Sequence, residues 1–312
     1  MFNKFEYVYA VFIHRSFTKA AKELYISQPS LSAAIKKIED KIGAPIFERQ
    51  GHKINLTQIG YEYIKAAEQM ILAQNEFSKK LNDLYSLDVG SIHIGGTNYL
   101  CSFILPKIIR QFKAKHPKID IVLEEANSIT LLNYLERGKI DMLIDSFDAP
   151  DENNVFIPLL EEKILLCVPS DWEINKQFKE YQIPFVNNKL DLSKNTPPVP
   201  LTKFGDCKFV LLKTGHSMHK RAMQFFHDAK INPTVSFFVD QLNISYSLAE
   251  SSMGACFVTD TIVNCSSSPE HLTFYKISNE YDTRTLYISH KAEKYATKAM
   301  KEFIKIAKET IV

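Results

Sequence analysis

The apolar residues Ile59, Tyr63, Ala66, Met70, Ala73 and Phe77 recur at intervals of 4-3-4-3-4 and continue, after a small shift, at Leu81 and Leu84. A stripe sustained over nearly four heptads predicts one long helix with a coiled-coil seam. Such a helix has to divide the chain into a small part before it and a large part after it. The part before it is too small to cover so long a stripe, so the seam is expected to pair with a second copy of the chain. Packing of the stripe on its own globular domain is the competing reading. Leu87-Asp88-Val89-Gly90 ends the helix.

Upstream, Phe5, Val8, Tyr9, Phe12 and Ile13 have the spacing of an amphipathic helix, which Ser16 and Thr18 interrupt. Thr18 is placed to cap a short second helix over 19–25, whose Ala20, Ala21 and Leu24 form a small face that another helix can approach closely. After a joint at 26–28, Pro29 takes the favoured first position of a third helix running to about Ile42. It buries Leu31, Ile35, Ile38 and Ile42 and leaves Ser30, Ser32, Ala33, Lys36 and Lys37 for its other faces. Two short helices joined tightly, with small and polar residues opening the second, describe a helix-turn-helix. Residues 45–56 read as two extended runs around Gly51, a wing with Gln50, His52 and Lys53 at its tip and Arg49 beside it. Residues 1–56 hold nine Lys and Arg against five Asp and Glu, an excess of four, whereas the whole chain has a net charge of +2. The basic end therefore faces a polyanion, and phosphates are the natural target.

From Ser91 the texture changes. Short strands at 92–94, 119–123 and 142–144 alternate with helices at 100–115 and 129–137, which predicts βαβ units and a mostly parallel sheet. Another strand begins over 163–168. A Pro- and Asn-rich stretch, 176–200, then reads as a surface insertion without predicted structure. The pattern resumes with strands at 209–212, 235–239, 255–258, 272–277 and 285–289 and helices at 216–229, 242–251 and 294–308.

Several function classes are excluded. With 45% hydrophobic and 24% charged residues in 312, the chain is that of an ordinary soluble globular protein of two or three domains. No apolar run is long enough to span a membrane, and Glu6, His14, Arg15 and Lys19 stand where a signal peptide needs its apolar core, so a cytoplasmic protein with no membrane partner is expected. Cys101, Cys167, Cys207, Cys256 and Cys265 form no C-x-x-C pair and sit among apolar neighbours, which points to reduced, buried thiols and to no metal site. No G-x-S-x-G, P-loop, G-x-G-x-x-G or H-E-x-x-H motif occurs, so no catalytic residue and no cofactor is assigned.

The run Ser16-Phe17-Thr18-Lys19-Ala20-Ala21-Lys22-Glu23-Leu24, followed by Ser27-Gln28-Pro29-Ser30-Leu31-Ser32, Ile38-Glu39, Gly43-Ala44-Pro45-Ile46-Phe47-Glu48-Arg49 and Leu56-Thr57, resembles the winged helix-turn-helix of LysR-type transcriptional regulators. Ile94-Gly95, Leu105-Pro106, His116-Pro117, Gly138 with Asp141, Asn232-Pro233 and Gly254 extend the resemblance over essentially the whole chain. It implies an α/β protein with a helix-rich winged helix-turn-helix over 1–58, a dimerising linker helix over 59–88 and an effector domain over 89–312. That last domain resembles a periplasmic binding protein, with subdomain I at about 89–162 and 269–312 and subdomain II at about 163–268. The implied partners are double-stranded promoter DNA, a small-molecule effector, RNA polymerase and further copies of the chain. Dimers would form through the linker helix and pair into a homotetramer.

The same resemblance and elementary docking geometry point to Ser27, Gln28, Pro29, Ser30, Ser32 and Ala33 at the base edges and to Lys36, Arg49, His52 and Lys53 at flanking phosphates. Gln28 either pairs with adenine or caps the third helix, and Ser32 either donates to DNA or bonds back to its own helix. Where many members of the family carry a long polar side chain, this chain has Ala33-Ala34, which implies more reliance on the wing and on DNA shape. Ligands of doubly wound sheets lie beyond strand carboxyl ends, at helix N-termini that favour a small organic anion. That selects Thr97, Asn98, Asn127, Ser128 and Ser146, the last beside Asp145 and Phe147. Across the cleft it selects Thr214, His216 and Phe257, each with an ordinary cap or core role as the alternative.

Overall fold

Hydroxyl caps fix where the second and third helices begin. The structure, a computed structural model, describes residues 4–50, 53–85, 90–147, 151–187, 189–265, 270–293 and 295–311; for 49, 50, 53, 75, 76, 78, 79 and 82–85 it describes the backbone alone. Helix α1 spans Phe5–His14 and α2 spans Phe17–Glu23. Ser16, in extended conformation, accepts from Lys19 N at 3.3 Å, so α2 starts ahead of the Thr18 cap expected from sequence: the Ser16 hydroxyl reaches the third helical amide first. Helix α3, Gln28–Ile42, is capped by Ser27, whose hydroxyl accepts from Ser30 N at 3.3 Å. Pro29 is consequently the second helical residue, and the amide it lacks is one that has no partner in a first turn anyway. Gly43, at φ 82°, closes α3 by donating to Glu39 O.

Ala20 and Ala21 are buried and let α2 approach α3, against a core that includes Val8, Val11, Leu31, Ile35 and Ile46. Strands β1 (Phe47–Gln50) and β2 (Lys53–Leu56) pair antiparallel as the wing. One Glu39 carboxylate oxygen accepts from Ile46 N and Phe47 N, which pins the wing to α3. Helix α4 (Gln58–Tyr85) follows Thr57, whose hydroxyl donates to Pro45 O at 2.7 Å and accepts from Gly60 N at 2.9 Å. Tyr63, Ile64 and Ala67 turn one face of α4 into this core, while Ile59 and Phe77 of the heptad stripe stay 44% and 62% exposed.

The chain divides into two compact units, Met1–Leu81 and Asn82–Val312. In the second, β3 (Gly90–Gly96), α5 (Asn98–Phe103), α6 (Leu105–Lys115), β4 (Ile119–Glu125), α7 (Ser128–Glu136) and β5 (Met142–Ser146) are right for parallel βαβ units: β3 pairs parallel with β4 and β5. The single helix expected over 100–115 is broken at Ile104, because Pro106 has no amide to donate to the Ser102 carbonyl and its ring crowds that oxygen. Strand β6 is the long element, Asn154–Pro169. Then come α8 (Ile174–Gln177), the hairpin β7 (Phe185–Val186) and β8 (Lys189–Leu190), β9 (Lys208–Leu212), α9 (Ser217–Asp228), β10 (Thr234–Val239), α10 (Leu242–Glu250), β11 (Cys256–Thr259), α11 (Asp260–Cys265), β12 (Leu272–Lys276), β13 (Thr283–Lys291) and α12 (Lys298–Ile311).

Among the described residues one sheet runs in the order β11-β6-β13-β5-β3-β4, with β12 also on β6. The first half of β6 pairs with β13 and the second half with β11 and β12. The strand therefore leaves one half of the unit and enters the other near Lys163. The described residues of 176–200 run along the edge of β12: Gln182 bridges Tyr275, Val199 bridges Ile277, and Ile183 and Val199 are buried.

A methyl group built on Gly60 would lie 2.2 Å from Ile46 O, a backbone atom that cannot turn away. Gly→Ala inside a helix ordinarily stabilises by about 0.5–1 kcal/mol. Here Gly60→Ala is expected to destabilise the N-terminal unit by about 1–3 kcal/mol, because the wing must shift off α4. Urea unfolding followed by the N-terminal tyrosines checks the sign.

Candidate functional site

The first unit presents a polar and basic face. Pro29, Ser30, Ala33, Lys36 and Lys37 of α3 are exposed along one side, while Leu31, Ile35 and Ile38 are buried on the other. Gln28 does not cap the helix, because Ser27 does; its amide donates to Ser32 Oγ at 2.8 Å, so the two side chains form one polar unit at the N-terminal end of α3. Ser27 and Ser30 hydroxyls share a bond of 2.7 Å. Arg49 lies on β1 opposite Ile54, and Lys53 on β2 opposite Gln50, which puts both on the wing by backbone position; His52 falls outside the described residues. Tyr25, missed in sequence, sits in the turn before α3 at φ 55° and is 96% exposed. An aromatic residue in a left-handed turn, with nothing apolar to pack on, was the available signal.

The second unit contains a cavity of about 230 Å³ walled by Thr97, Asn98, Tyr99, Glu125, Ala126, Asn127, Ser128 and Asp145 on one side and by Leu212, His216, Ser217, Met218, Asp240, Gln241 and Leu242 on the other, with Arg284 at its floor. The starts of α5, α7, α9 and α10 all open on it. Asn127 caps α7 by accepting from Thr130 N at 2.9 Å, whereas His216 and Gln241 contribute no side-chain cap to α9 and α10. Burial raises the Asp145 carboxyl above its ordinary range, opposed by the Ser128 hydroxyl, the Ser146 amide and the positive charge of Arg284. Burial likewise lowers His216, opposed by Asp240 and Asp145.

At the floor, Arg284 donates to Glu162 at 2.7 Å through both Nε and Nη2, and the two side chains are 5% and 0% exposed. The other Glu162 oxygen accepts from the Tyr99 hydroxyl, which also receives Thr259 Oγ1 at 3.4 Å. Burial opposes the charge on Arg284, and the Glu162 carboxylate more than offsets that, leaving the guanidinium above its ordinary range. Glu162 and Arg284 are cross-strand partners on β6 and β13, one residue before β6 changes pairing partners. Asp260 stands on the same crossing, where its Oδ1 accepts from Lys163 N and Thr261 N, each at 3.0 Å; burial pushes its carboxyl up to about 6.

Residues 2–61 match the family described as bacterial regulatory helix-turn-helix protein, lysR family, and residues 86–311 match the LysR substrate binding domain. The chain belongs to the LysR family. It is 25% identical over 308 residues to the HTH-type transcriptional regulator YcgK of Bacillus subtilis, covering 98% of this chain and 93% of YcgK. It is 27% identical over 249 residues to the DNA-binding transcriptional dual regulator OxyR of Escherichia coli, covering 80% and 75%. Its fold is similar to full-length CbnR complexed with its target DNA, with TM-score 0.70, 17% identity and 99% of each chain covered. Full-length OxyR of Pseudomonas aeruginosa gives 0.68, 19%, 98% and 93%. The protein is thus a LysR-type DNA-binding transcriptional regulator, of a family of regulators and not of enzymes.

Within this LysR chain, Thr97, Asn98, Asn127, Ser128 and His216 stand on the cavity wall and three other expected residues do not. Ser146 is the neighbour of Asp145 on β5, and strand alternation turns it away from the cavity that Asp145 faces. Thr214 is exposed in the turn ahead of α9. Phe257 is 4% exposed and packs in a cluster with Phe209, Phe225 and Phe226. Sequence reasoning missed Glu162 and Arg284, which pair only through the sheet register. None of residues 176–200 lines the cavity. No cysteine lines it either; burial pushes Cys101 up to about 12 and raises Cys167 and Cys207, which keeps these thiols protonated.

Arg284→Met leaves Glu162 charged and buried, so it should cost about 3–5 kcal/mol in urea unfolding, and adding Glu162→Gln should restore most of that. Asp260 holds its proton more tightly folded than unfolded, so its contribution to stability falls as pH rises from about 4 through about 6 and is flat above. Asp260→Asn keeps an acceptor for both amides; the expected result is a gain of about 1 kcal/mol above pH 6 after allowance for partial solvent access, and a flatter Tm profile between pH 4 and 6.

Proposed function

We propose that the protein binds promoter DNA as a homodimer, pairs into a homotetramer and is switched by a small effector held in the 230 Å³ cavity. The observation that carries this reading is the cavity's position. Its wall draws on both halves of the second unit, and its floor is the β6–β13 crossing that joins them. A ligand touching both walls favours the arrangement in which they are close, and only that difference in affinity can shift the regulator between states. Contact with RNA polymerase then depends on how the DNA-bound assembly is held.

For DNA, the exposed face of α3 enters the major groove with Gln28, Pro29, Ser30, Ser32 and Ala33 at base edges and Ser27 at its N-terminal end. Lys36 and the wing residues Arg49, His52 and Lys53 neutralise phosphates. Gln28 and Ser32 act together, since their side chains are already bonded to each other. Tyr63 of the stripe is buried with Ile64 and Ala67 within the unit, and the exposed stripe residues Ile59 and Phe77 support pairing of α4 with a second copy.

Selection of bound fragments from a genomic pool, followed by footprinting, tests the reading. A protected site with two half-sites is expected. Gln28→Ala should weaken it by about 1–3 kcal/mol and relax preference at one base pair of each half-site. Lys36→Ala should weaken all sequences alike and lower the slope of log affinity against log salt by about 1 for each phosphate no longer neutralised. Equal loss of specificity in both variants would remove the division into base-reading and phosphate-binding residues.

A further inference from the structure

Helix N-termini alone led to the expectation of an anionic effector, but the cavity wall also carries three carboxylates, Glu125, Asp145 and Asp240, against the single cation Arg284. Arg284 is already paired with Glu162, and Asp240 with Lys213 at 2.6 Å. Asp145 is different. It is 4% exposed, its Oδ1 accepts from Ser146 N at 2.8 Å, the Ser128 hydroxyl stands near enough to lower its pKa, and within hydrogen-bond geometry its Oδ2 has no partner among the described residues. Asn98 Oδ1, on the same wall, is also buried and has none. Both residues line the one cavity, and two buried acceptors without a donor carry a cost that a ligand donor there removes.

The opposite wall has the reverse character. Helices α9 and α10, of 12 and 9 residues, begin there at Ser217 and Leu242, and neither receives a side-chain cap. The third amides, of His219 and Ile244, are taken by His216 O and by Gln241 O with Asn243 Oδ1, while the first two amides of each helix have no partner inside it and favour a negative group. The two walls are near enough that the charge of Asp145 is felt at His216, the residue that opens α9. The space corresponds to about eight waters at bulk density, which limits the ligand to a small molecule.

We propose that the ligand is a small zwitterion of the free amino acid class, its unsubstituted ammonium group on Asp145 Oδ2 and Asn98 Oδ1 and its carboxylate against the N-termini of α9 and α10. The proposal rests on the reading of this cavity as the effector site. Each end of the ligand meets a group that the chain leaves unsatisfied. A carboxylate without an ammonium would leave Asp145 uncompensated, and an amine without a carboxylate would leave the two helix starts unused.

The full-length protein, titrated calorimetrically with the twenty common L-amino acids, tests it, with succinate and lactate as carboxylates lacking nitrogen. At least one amino acid should bind. Its N-acetyl derivative and its decarboxylated amine should each bind about tenfold or more weaker, a comparison that needs no variant. Asp145→Asn should weaken the parent amino acid by a similar factor and leave the N-acetyl derivative unchanged. Absence of binding by every amino acid, or equal binding by an N-acetyl derivative, overturns the zwitterion. Footprints with and without ligand separate this from the effector reading. If succinate or lactate binds and alters the footprint, the effector site stands and the zwitterion falls. If an amino acid passes both deletion tests and leaves the footprint unchanged, the zwitterion stands and the effector reading falls.

Discussion

The buried pair Glu162–Arg284 is the constraint on which the second unit is arranged. It lies on adjacent strands one residue before β6 exchanges β13 for β11 and β12. Removing two charges from water is costly, and their attraction repays the cost only when the remaining polar atoms are also satisfied. Here both Glu162 oxygens are used, by the guanidinium and by Tyr99, and Thr259 donates to the Tyr99 hydroxyl. Tyr99 comes from α5, Glu162 and Arg284 from the crossing strands and Thr259 from the end of β11. A single polar cluster thus fixes the start of one half to the end of the other. A hydrophobic cluster of equal volume would hold the same elements together with less directional control, so the pair accounts for where the crossing is made more than for how stable it is.

That cluster was not legible in the sequence, and the reason is physical. Glu162 and Arg284 are 122 positions apart, and each reads locally as a charge near the end of a strand. Only the register of β6 against β13 makes them partners. The first half of β6 was equally hidden: the register shifts between Leu286 and Tyr287, where Leu160 and Pro158 stand opposite, so one residue bulges and the alternation breaks. By contrast, the helix-turn-helix was legible because its signals are local. Ala20 and Ala21, the Ser27-Gln28-Pro29 start and Gly43 each act within a turn of where they stand. The displaced α2 cap arose because Ser16 and Thr18 are two hydroxyls competing for one role, and α3 starts one residue early because Ser27 caps it, which makes Pro29 its second residue.

In the cavity, the rule that ligands gather beyond strand ends found the right neighbourhood but not the right side of each strand. Ser146 and Asp145 are adjacent, and their opposite orientations follow from the pleat, whose phase cannot be read from five consecutively buried residues. Phe257 was selected by the same rule and belongs to the aromatic core for the same reason. Residues chosen as helix starts fared better, since Asn98, Ser128 and His216 need only be near an N-terminus to face the cavity. Stretch 176–200 shows the limit of composition: a Pro- and Asn-rich segment looked like surface decoration, yet Ile183 and Val199 anchor it along β12, with Phe204 buried just beyond.

The two halves of the second unit can respond to a ligand only through the crossing, because that is where the chain passes between them. At the crossing both Glu162 oxygens and the Tyr99 hydroxyl have partners, whereas Asp145 Oδ2 and Asn98 Oδ1 on the cavity wall have none among the described residues. Free energy available for switching therefore resides in the wall and not in the floor. A ligand that fills the unsatisfied positions on both sides gains most when the walls are near, and that gain is the upper bound on what it can deliver to DNA affinity.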